Sequence, residues 1–565
     1  MEVHKQPQEH TMDTKSAVEL QICEPDIPSS ENESQKDTRM TWRKIAILVS
    51  MSMLWIASQI PLYLYGAVIP LLIKDLGGAD RAVWVTLSNL IPISVVTPFV
   101  SQMCDLLGRR NVSLAAAALL VIGNIVCGTA TTMNNFIAGM SLIGCGAGVL
   151  EMTALAVAGE MAPAQKRGLY IGAVVATVIP YAPSVLYAQW VASHSWRWLS
   201  VWIGAWSFVG LVLTAVSFFP PKRPSLVDAS QREVLASIDY VGGFLSTAGL
   251  TLFLAALTWG GNQYAWDSVH VVVPLVLGIV LIIAFVYWEV RGAKTPMFPR
   301  RLWANPRALN CVLAMTAVSG AVFFTVLICW PTQYNYVYAI NGDPVSIGLG
   351  SLPIAFCFLG GSIIASIAMS YFKSRVKILL FAGCVIMIAG NGALAGAKVD
   401  NLQAMFGPLV LACLGCGAII VPCQIIATVI SPDDLIATVI ALTITIRFVS
   451  GSIAFAIYSS IQTQQFTQTS WTFVGAAARS IGITDVDTVG GIIQLVKYGL
   501  GPQIRAFVAT DDQWQLLLLA GRQAYAASYA PVYYCAIGFG TLAIVAVLLL
   551  PDISASMDQH VAVAY

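Results

Sequence analysis

The sequence predicts an all-α polytopic membrane protein, and three observations predict it. Hydrophobic residues make up 57% of the 565-residue chain, whereas a soluble domain holds about 45–50% with glycine counted in. Charged residues make up only 10%, against roughly 25% in a soluble protein, and the mean hydropathy is +0.75. The apolar residues are also gathered in runs long enough to cross a bilayer, which takes ~20 residues. Backbone polar groups in lipid must bond within their own segment, so such runs are helices rather than open strands. This composition excludes a mainly disordered chain, a collagen-like or disulfide scaffold and a multidomain soluble enzyme. A net charge of +1 offers no basic face to nucleic acid.

Residues 1–43 differ from the rest. Glu2, Glu9, Asp13, Glu19, Glu24, Asp26, Glu31, Glu33 and Asp37 crowd this stretch, which has few aromatics, and it reads as a disordered cytoplasmic tail. It lacks the apolar core of a cleaved signal peptide, so the first span is expected to act as the anchor. Six spans then fill 44–219, at 45–69, 82–103, 112–131, 135–158, 168–191 and 199–219. The charge-free stretch Asn111–Leu150 is too long for one helix, and Thr129-Ala-Thr-Thr-Met-Asn-Asn135 breaks it. Two inserted spans, 240–259 and 269–289, lie within a linker at 220–306. Six more fill 307–551, at 308–330, 347–370, 377–397, 405–428, 435–459 and 532–550. Between the last two, 460–531 mixes short apolar stretches with Asp485, Asp487, Asp511 and Asp512 and reads as a long extracellular loop with amphipathic helices. A second cytoplasmic tail is expected at 552–565.

Lys and Arg in short loops set orientation. With both ends inside, the inner loops hold Arg109, Arg110, Lys166, Arg167, Arg291, Lys294, Arg300, Arg301, Arg307, Arg375 and Lys377, among others. The outer loops hold only Lys74, Arg81, Arg197 and Lys398. That bias predicts an even number of spans with both termini cytoplasmic. The sequons at Asn32 and Asn111 then fall on the inner side and are expected to stay unmodified.

The loop after the second span reads Ser101-Gln-Met-Cys-Asp105-Leu-Leu-Gly108-Arg109-Arg110. Gly108 permits a tight turn, the arginines hold the loop in the cytosol, and Asp105 suits a helix N-terminus, where an anion is favoured by ~0.3–1 kcal/mol. This resembles the signature of the major facilitator superfamily, with Ser101 in place of its first glycine. The next inner loop, Glu160-Met-Ala-Pro163-Ala-Gln-Lys166-Arg167-Gly168, resembles the superfamily's second cytoplasmic element. The resemblance implies that Asp105 clasps the N-terminus of span 13, that Glu160 pairs with Arg109, and that these residues with Arg167 gate the cytoplasmic side. Weaker echoes, Tyr371-Phe-Lys-Ser-Arg-Val-Lys377 and Ser431-Pro-Asp-Asp434, fit two related six-helix halves.

Further matches are Asp239-Tyr-Val-Gly242-Gly, Thr258-Trp259-Gly260-Gly261-Asn-Gln-Tyr264-Ala-Trp266, Arg447-Phe-Val-Ser-Gly451 and Ala524-Tyr-Ala-Ala-Ser-Tyr-Ala-Pro-Val532-Tyr-Tyr. Together, over residues 40–551, these are similar to the fungal fourteen-helix facilitators, and most to the trichothecene efflux pump family. The resemblance implies a major facilitator fold of two six-helix bundles plus two inserted helices. It also implies export of a fungal secondary metabolite, toxin or drug-like organic molecule by alternating access, with proton antiport. Proton-coupled uptake, for example of siderophore-iron, and a transporter-like sensor are the alternatives. Gly144-Cys-Gly146-Ala-Gly148 keeps the glycines of the superfamily's fourth helix, but Met140 and Ile143 stand where its Arg and Gln would be; in the fifth helix Pro183 is kept without the neighbouring glycines.

Ionisable residues near the bilayer centre are costly and usually functional. Glu151 in span 4 and Arg447 in span 13 are such residues. Glu151 is the candidate proton carrier, and Arg447 a candidate for binding a substrate anion or tuning a carboxylate. Each also fits a satisfied structural charge between helices, and since they sit in opposite halves nothing in the sequence pairs them. Tyr63, Asn89, Tyr181, Phe323, Trp330 and Gln424 fall within spans expected to line a central cavity, where packing or an interfacial belt also accounts for aromatics. Asp239 and Glu289, at span ends, read as interfacial.

There is no phosphate-binding loop of the Gly-x-x-x-x-Gly-Lys-Ser/Thr type, and His4, His10, His194, His270 and His560 are scattered. Cys413-x-x-Cys416 lies in an uncharged apolar run and reads as packing. No catalysis, cofactor or metal is therefore expected. The expected partners are a small organic substrate, protons and the lipid bilayer, with no nucleic acid. The expected form is a monomer in the plasma membrane, or in a vacuolar or vesicle membrane.

Overall fold

A computed structural model describes residues 41–78, 81–220, 238–261, 263–339, 344–372, 375–497, 499 and 501–554. The disordered-tail reading up to residue 40, the expected cytoplasmic tail beyond residue 554, and Lys222, Arg223, Arg232 and Lys373, which the inner-loop charge bias also counts, lie outside the described residues. Among the described residues fourteen helices are long and apolar enough to cross a membrane. They are α1 (Trp42–Gly66), α2 (Val83–Leu107), α3 (Arg109–Gly128), α4 (Met133–Met161), α5 (Arg167–Ala192), α6 (Arg197–Ser217) and α7 (Tyr240–Trp259). The rest are α8 (Val269–Gly292), α9 (Pro306–Val337), α10 (Pro344–Tyr371), α11 (Val376–Leu394), α12 (Leu402–Ile430), α13 (Ile436–Ser480) and α14 (Asp511–Leu549). Gly260 and Tyr264 form an isolated bridge of extended backbone.

Local chemistry starts these helices where the sequence permits it. Thr41, Thr132, Asp239, Ser268 and Thr510 each accept a backbone N–H of the first turn of α1, α4, α7, α8 and α14, which satisfies one of the donors that a helix start leaves unpaired. Gly108, at φ +87°, reverses the chain between α2 and α3 without a linker. A side chain there would meet the left-handed penalty that glycine avoids.

α4 and α12 are the most enclosed helices, and α8 the least. α4 packs on α1, α2 and α3, and α6 closes that group against α1 and α3. α12 packs on α9, α10 and α11, and α14 closes the second group against α9, α11 and α13. The two groups meet where α2 and α4 touch α13 and where α5 lies along α10. Cβ-free positions make the close approaches possible. A side chain at Gly144 would strike the Asn89 carbonyl of α2, and one at Gly168 would come within 2.7 Å of the Ser366 carbonyl of α10. The glycines kept in span 4 are thus the surface on which α2 and α3 rest. Cys413 and Cys416 are fully buried in α12, in packing.

Both described ends of the bundle gather on one face. Arg43 donates to the Phe219 carbonyl beyond α6 (3.0 Å), Arg307 to the Leu549 carbonyl (3.0 Å), and Lys377 to the carbonyls of Leu548 and Leu550 (2.7 and 3.1 Å). This face is called the termini face below.

The stretch 460–531, read as a long loop with short amphipathic helices, is built mostly from continuations of two spanning helices. α13 runs unbroken for 45 residues and α14 for 39. At 1.5 Å per residue α13 is ~68 Å long, about twice the ~30 Å hydrocarbon thickness. The polar run after Ser460 lowers hydropathy without breaking the helix, since it has no Gly or Pro before Gly475. Its hydroxyls bond back to the helix itself, Thr467 to the Thr463 carbonyl, Thr469 to Gln465, Ser470 to Phe466 and Thr472 to Gln468. α14 likewise begins at a Thr510 cap and passes straight through Pro531. Val486–Lys497 forms a separate amphipathic helix in this region.

Candidate functional site

A cavity of about 310 Å³ lies where the two helix groups face each other. Its wall comes from α1, α2, α4 and α5 on one side and α9, α10, α12 and α13 on the other. α5 and α9 lose regular geometry at this level. α5 passes through a 3₁₀ turn at Ile179–Tyr181 before Pro183, and α9 through a π turn at Thr325–Cys329 before Pro331. Thr325 anchors that π turn by donating to Asn391 of α11 (2.5 Å). Such interruptions are tolerated in lipid where they are buried in protein or line a cavity.

Glu151 and Arg447 form an ion pair on the cavity wall. The arginine donates its Nη2 to Oε1, while Gln59 of α1 donates its Nε2 to Oε2 at 3.1 Å. Gln59 also donates to Ser58, whose hydroxyl in turn donates to the Trp55 carbonyl at 2.7 Å. Glu151 is 1% exposed and Arg447 9%. Two charges this deep persist only when paired and hydrogen-bonded, because removing water from each costs several kcal/mol. The Arg447 guanidinium also lies 4.7 Å from the Phe448 ring centre. α4 and α13, and so the two helix groups, are joined inside the cavity by one carboxylate and one guanidinium.

Four of the six neutral residues expected at the cavity line it: Tyr63, Tyr181, Phe323 and Gln424. Two do not. Thr86 and Leu90 carry the cavity-facing side of α2, so Asn89, one position off that stripe, turns inward behind it. It is fully buried, and its amide nitrogen and oxygen have no hydrogen-bond partner. Trp330 is also fully buried, behind the lining residues Pro331 and Thr332, with its indole N–H directed to the Gly350 carbonyl at 3.5 Å.

Gln59 was not singled out from sequence, although a glutamine in an otherwise uncharged span, four residues before Tyr63, marks one helix face. Gln189, which donates to the Ala67 carbonyl at 2.7 Å, and Asn335 add amides to a polar lining that also holds Thr86, Ser184, Thr332 and Ser351. Gln189 and Asn335 sit near helix ends remote from the termini face.

The termini face is closed by a separate set of contacts. Arg109 and Glu160 form a buried ion pair between α3 and α4. Arg110 donates to the Ala215 carbonyl of α6 (2.8 Å) and lies over the Phe219 ring. Arg167 reaches across to the other group, donating Nη1 to the Thr428 carbonyl and Nη2 to Asp433, both at 2.6 Å. Arg301 pairs with the adjacent Asp434 at 3.1 Å. The Asp105 side chain lies outside the described residues. Arg167 crosses between the groups on one face, and the Glu151–Arg447 pair crosses within the cavity.

The family model described as fungal trichothecene efflux pump matches residues 6–564. The trichothecene efflux pump TRI12 of Fusarium sporotrichioides is 25% identical over 536 residues, 92% of this chain and 88% of that protein. The MFS-type transporter gkaD of Penicillium citrinum is 30% identical over 70% of this chain and 68% of its own length. The MFS-type efflux pump LUC4 of a Fusarium species is 28% identical over 65% and 64%. Among solved structures, the proton:xylose symporter XylE bound to 6-bromo-6-deoxy-D-glucose superimposes with a TM-score of 0.55 at 12% identity, over 92% of this chain and 98% of that one. At that identity the likeness shows the major facilitator fold and nothing finer.

Proposed function

The chain belongs to the fungal trichothecene efflux pump family, a membrane efflux transporter of the major facilitator type, and from that premise we propose that it exports a mid-sized amphipathic metabolite or toxin in exchange for protons. The observation that carries this reading is the Glu151–Arg447 pair, set in the cavity wall between the two helix groups. A proton arriving on Oε1 of Glu151 cancels the carboxylate charge and releases Arg447. The tie between α4 and α13 then loosens, and the carboxyl no longer offers the anionic acceptor to which a hydroxyl of the cargo donates, so the cargo leaves. Loss of the proton restores the carboxylate, its pair with Arg447 and the site for cargo. Binding of proton and cargo is thereby mutually exclusive, which is what exchange requires.

The two groups, 44–219 and 307–551, act as rocking halves about the cavity, with the pair 240–259 and 269–289 inserted between them. The arginine-rich termini face is cytoplasmic by the charge bias of its loops. In this arrangement Arg167, Asp433, Arg109 and Glu160 close the inner side while the cavity reaches toward the outer side. The protein works as a monomer in the plasma membrane.

The test uses sealed vesicles holding the purified chain and a trichothecene as probe. Exchange moves protons opposite to the toxin, and an imposed proton gradient drives toxin accumulation on the more acidic side. Co-movement in the same direction marks uptake and overturns the export reading.

A further inference from the structure

α7 and α8 take no part in the cavity wall, and their side chains show how they are held. α7 lies along α2 and makes a smaller contact with α13 of the second group. Trp259 meets Trp84 at a ring-centre distance of 5.9 Å at one end, and Tyr240 meets Phe99 at 6.5 Å at the other. Gly243 lets the Phe99 ring sit against the backbone, where a Cβ would collide with it. α8 rests on α7 and presents the rest of its surface outward.

At the termini face the attachment becomes polar, and it passes through one side chain. Gln102 of α2 donates its Nε2 to the Thr295 carbonyl beyond α8 at 2.9 Å and accepts the Asp239 backbone N–H at 3.2 Å. Asp239 caps α7 through Gly242 N–H and accepts the Trp288 indole N–H of α8 at 3.0 Å. Glu289 accepts the Phe298 N–H at 2.6 Å and folds the following loop back on α8. A few residues on, Arg301 makes its pair with Asp434 in the loop between α12 and α13.

We propose that α7 and α8 are carried as a fixed part of the first helix group, and that Gln102 is the positioning residue that makes the loop 293–301 follow α2. One amide bonds to the start of α7 and the exit of α8 together, so α2 cannot tilt without taking both. Beyond that loop the chain passes through Trp303, whose indole N–H donates to Asn310 at 3.2 Å, into α9 of the second group; the contact of the loop with the turn between α12 and α13 is the exposed Arg301–Asp434 pair, and an exposed pair contributes ~0–1 kcal/mol. When the termini face opens, that pair parts together with the Arg167–Asp433 contact and the stretch after Arg301 takes up the bend, while the Gln102 end stays whole. This inference rests on the two-half movement proposed above.

The experiment places nitroxide labels on exposed lipid-facing positions of the full chain in lipid nanodiscs: Ile122 on α3, Val276 on α8 and Val385 on α11. Distances are compared between the otherwise unaltered chain and Arg167→Ala. The expected result is that Ile122–Val385 and Val276–Val385 shift together while Ile122–Val276 keeps its distance. A shift in Ile122–Val276 accompanying Ile122–Val385 overturns this inference and leaves the two-half movement standing. No shift in Ile122–Val385 overturns the movement and the inference with it. In Gln102→Ala the Ile122–Val276 distribution is expected to broaden while the protein stays folded and monodisperse. An unchanged distribution removes Gln102 from the role.

Discussion

Glu151 and Arg447 stand 296 residues apart in sequence and share one hydrogen-bonded ion pair inside the bundle. Each is needed to make the other tolerable in a low-dielectric interior. Deleting one charge strands its partner at a cost of ~3–5 kcal/mol, whereas removing both is often neutral. Arg447→Met alone is therefore expected to lower thermal stability in detergent, and Glu151→Gln combined with Arg447→Met to restore most of it. Additive losses in the double variant would show that the two side chains do not act as a pair.

Function should part from stability at the same place. Glu151→Gln keeps one oxygen to accept from Arg447 and turns an NH2 toward Gln59, whose amide can flip to accept it, but the variant cannot exchange a proton. The variant is expected to fold while losing the response of export to an imposed proton gradient. Wild-type proton-driven rates in reconstituted vesicles would remove Glu151 from the coupling.

Much of this was legible in the sequence because lipid imposes simple rules. The fourteen spans follow from hydropathy and length and the turn at Gly108 from local sequence, whereas the Arg109–Glu160 pair was legible only as what the family resemblance implies. The Glu151–Arg447 pair was not legible, since only the meeting of two distant helices brings the residues together. Asn89 and Trp330 were misplaced for a related reason: a span's membership in the cavity wall does not say which of its faces is turned to it. The long run 460–531 was misread because hydropathy measures affinity for lipid, whereas helix persistence depends on propensity and backbone satisfaction. Thr467, Thr469, Ser470 and Thr472 satisfy themselves within α13.

The Arg167 contact makes a prediction about access. Its two nitrogens bond a carbonyl and a carboxylate of the opposite group in fixed geometry, a planar arrangement that a lysine ammonium cannot reproduce. Arg167→Lys is thus expected to behave nearly like Arg167→Ala. In both, a cysteine introduced at Ser431, which is buried at the termini face, should react faster with a water-soluble maleimide. Equal labelling rates in wild type and variants would show that Arg167 does not hold this face shut.

Asp75 supplies a pH prediction away from the membrane core. It lies in the short helix Ile69–Leu76 and accepts from the Trp196 indole N–H at 2.9 Å and Arg197 at 2.7 Å. The Trp196 and Arg197 hydrogen bonds hold its carboxyl below the ordinary carboxylate value of 3.8. A depressed folded-state value means the stabilisation is complete above the unfolded value and disappears as pH falls through the folded one. Acid should therefore loosen the contact between this helix and the start of α6. Asp75→Asn lacks that contribution at every pH, so it is expected to be slightly less stable than wild type at neutral pH and to show a flatter acid limb of the stability-versus-pH curve below about pH 4.

Gln424 separates recognition from packing. Its side chain reaches the cavity from α12, is 3% exposed, and its amide nitrogen donates to no protein group. A buried donor left without a partner costs stability, by ~1–3 kcal/mol, so a structural role alone would make Gln424→Leu neutral or stabilising. If the amide instead meets an oxygen of the cargo, the same substitution removes a hydrogen bond worth ~0.5–1.5 kcal/mol, and the half-saturating cargo concentration rises about 2- to 12-fold. The two effects have opposite signs and separate readouts. The expected result is an equal or higher melting temperature together with weaker cargo binding. Unchanged binding in the Leu variant would return Gln424 to the bundle as a packing residue.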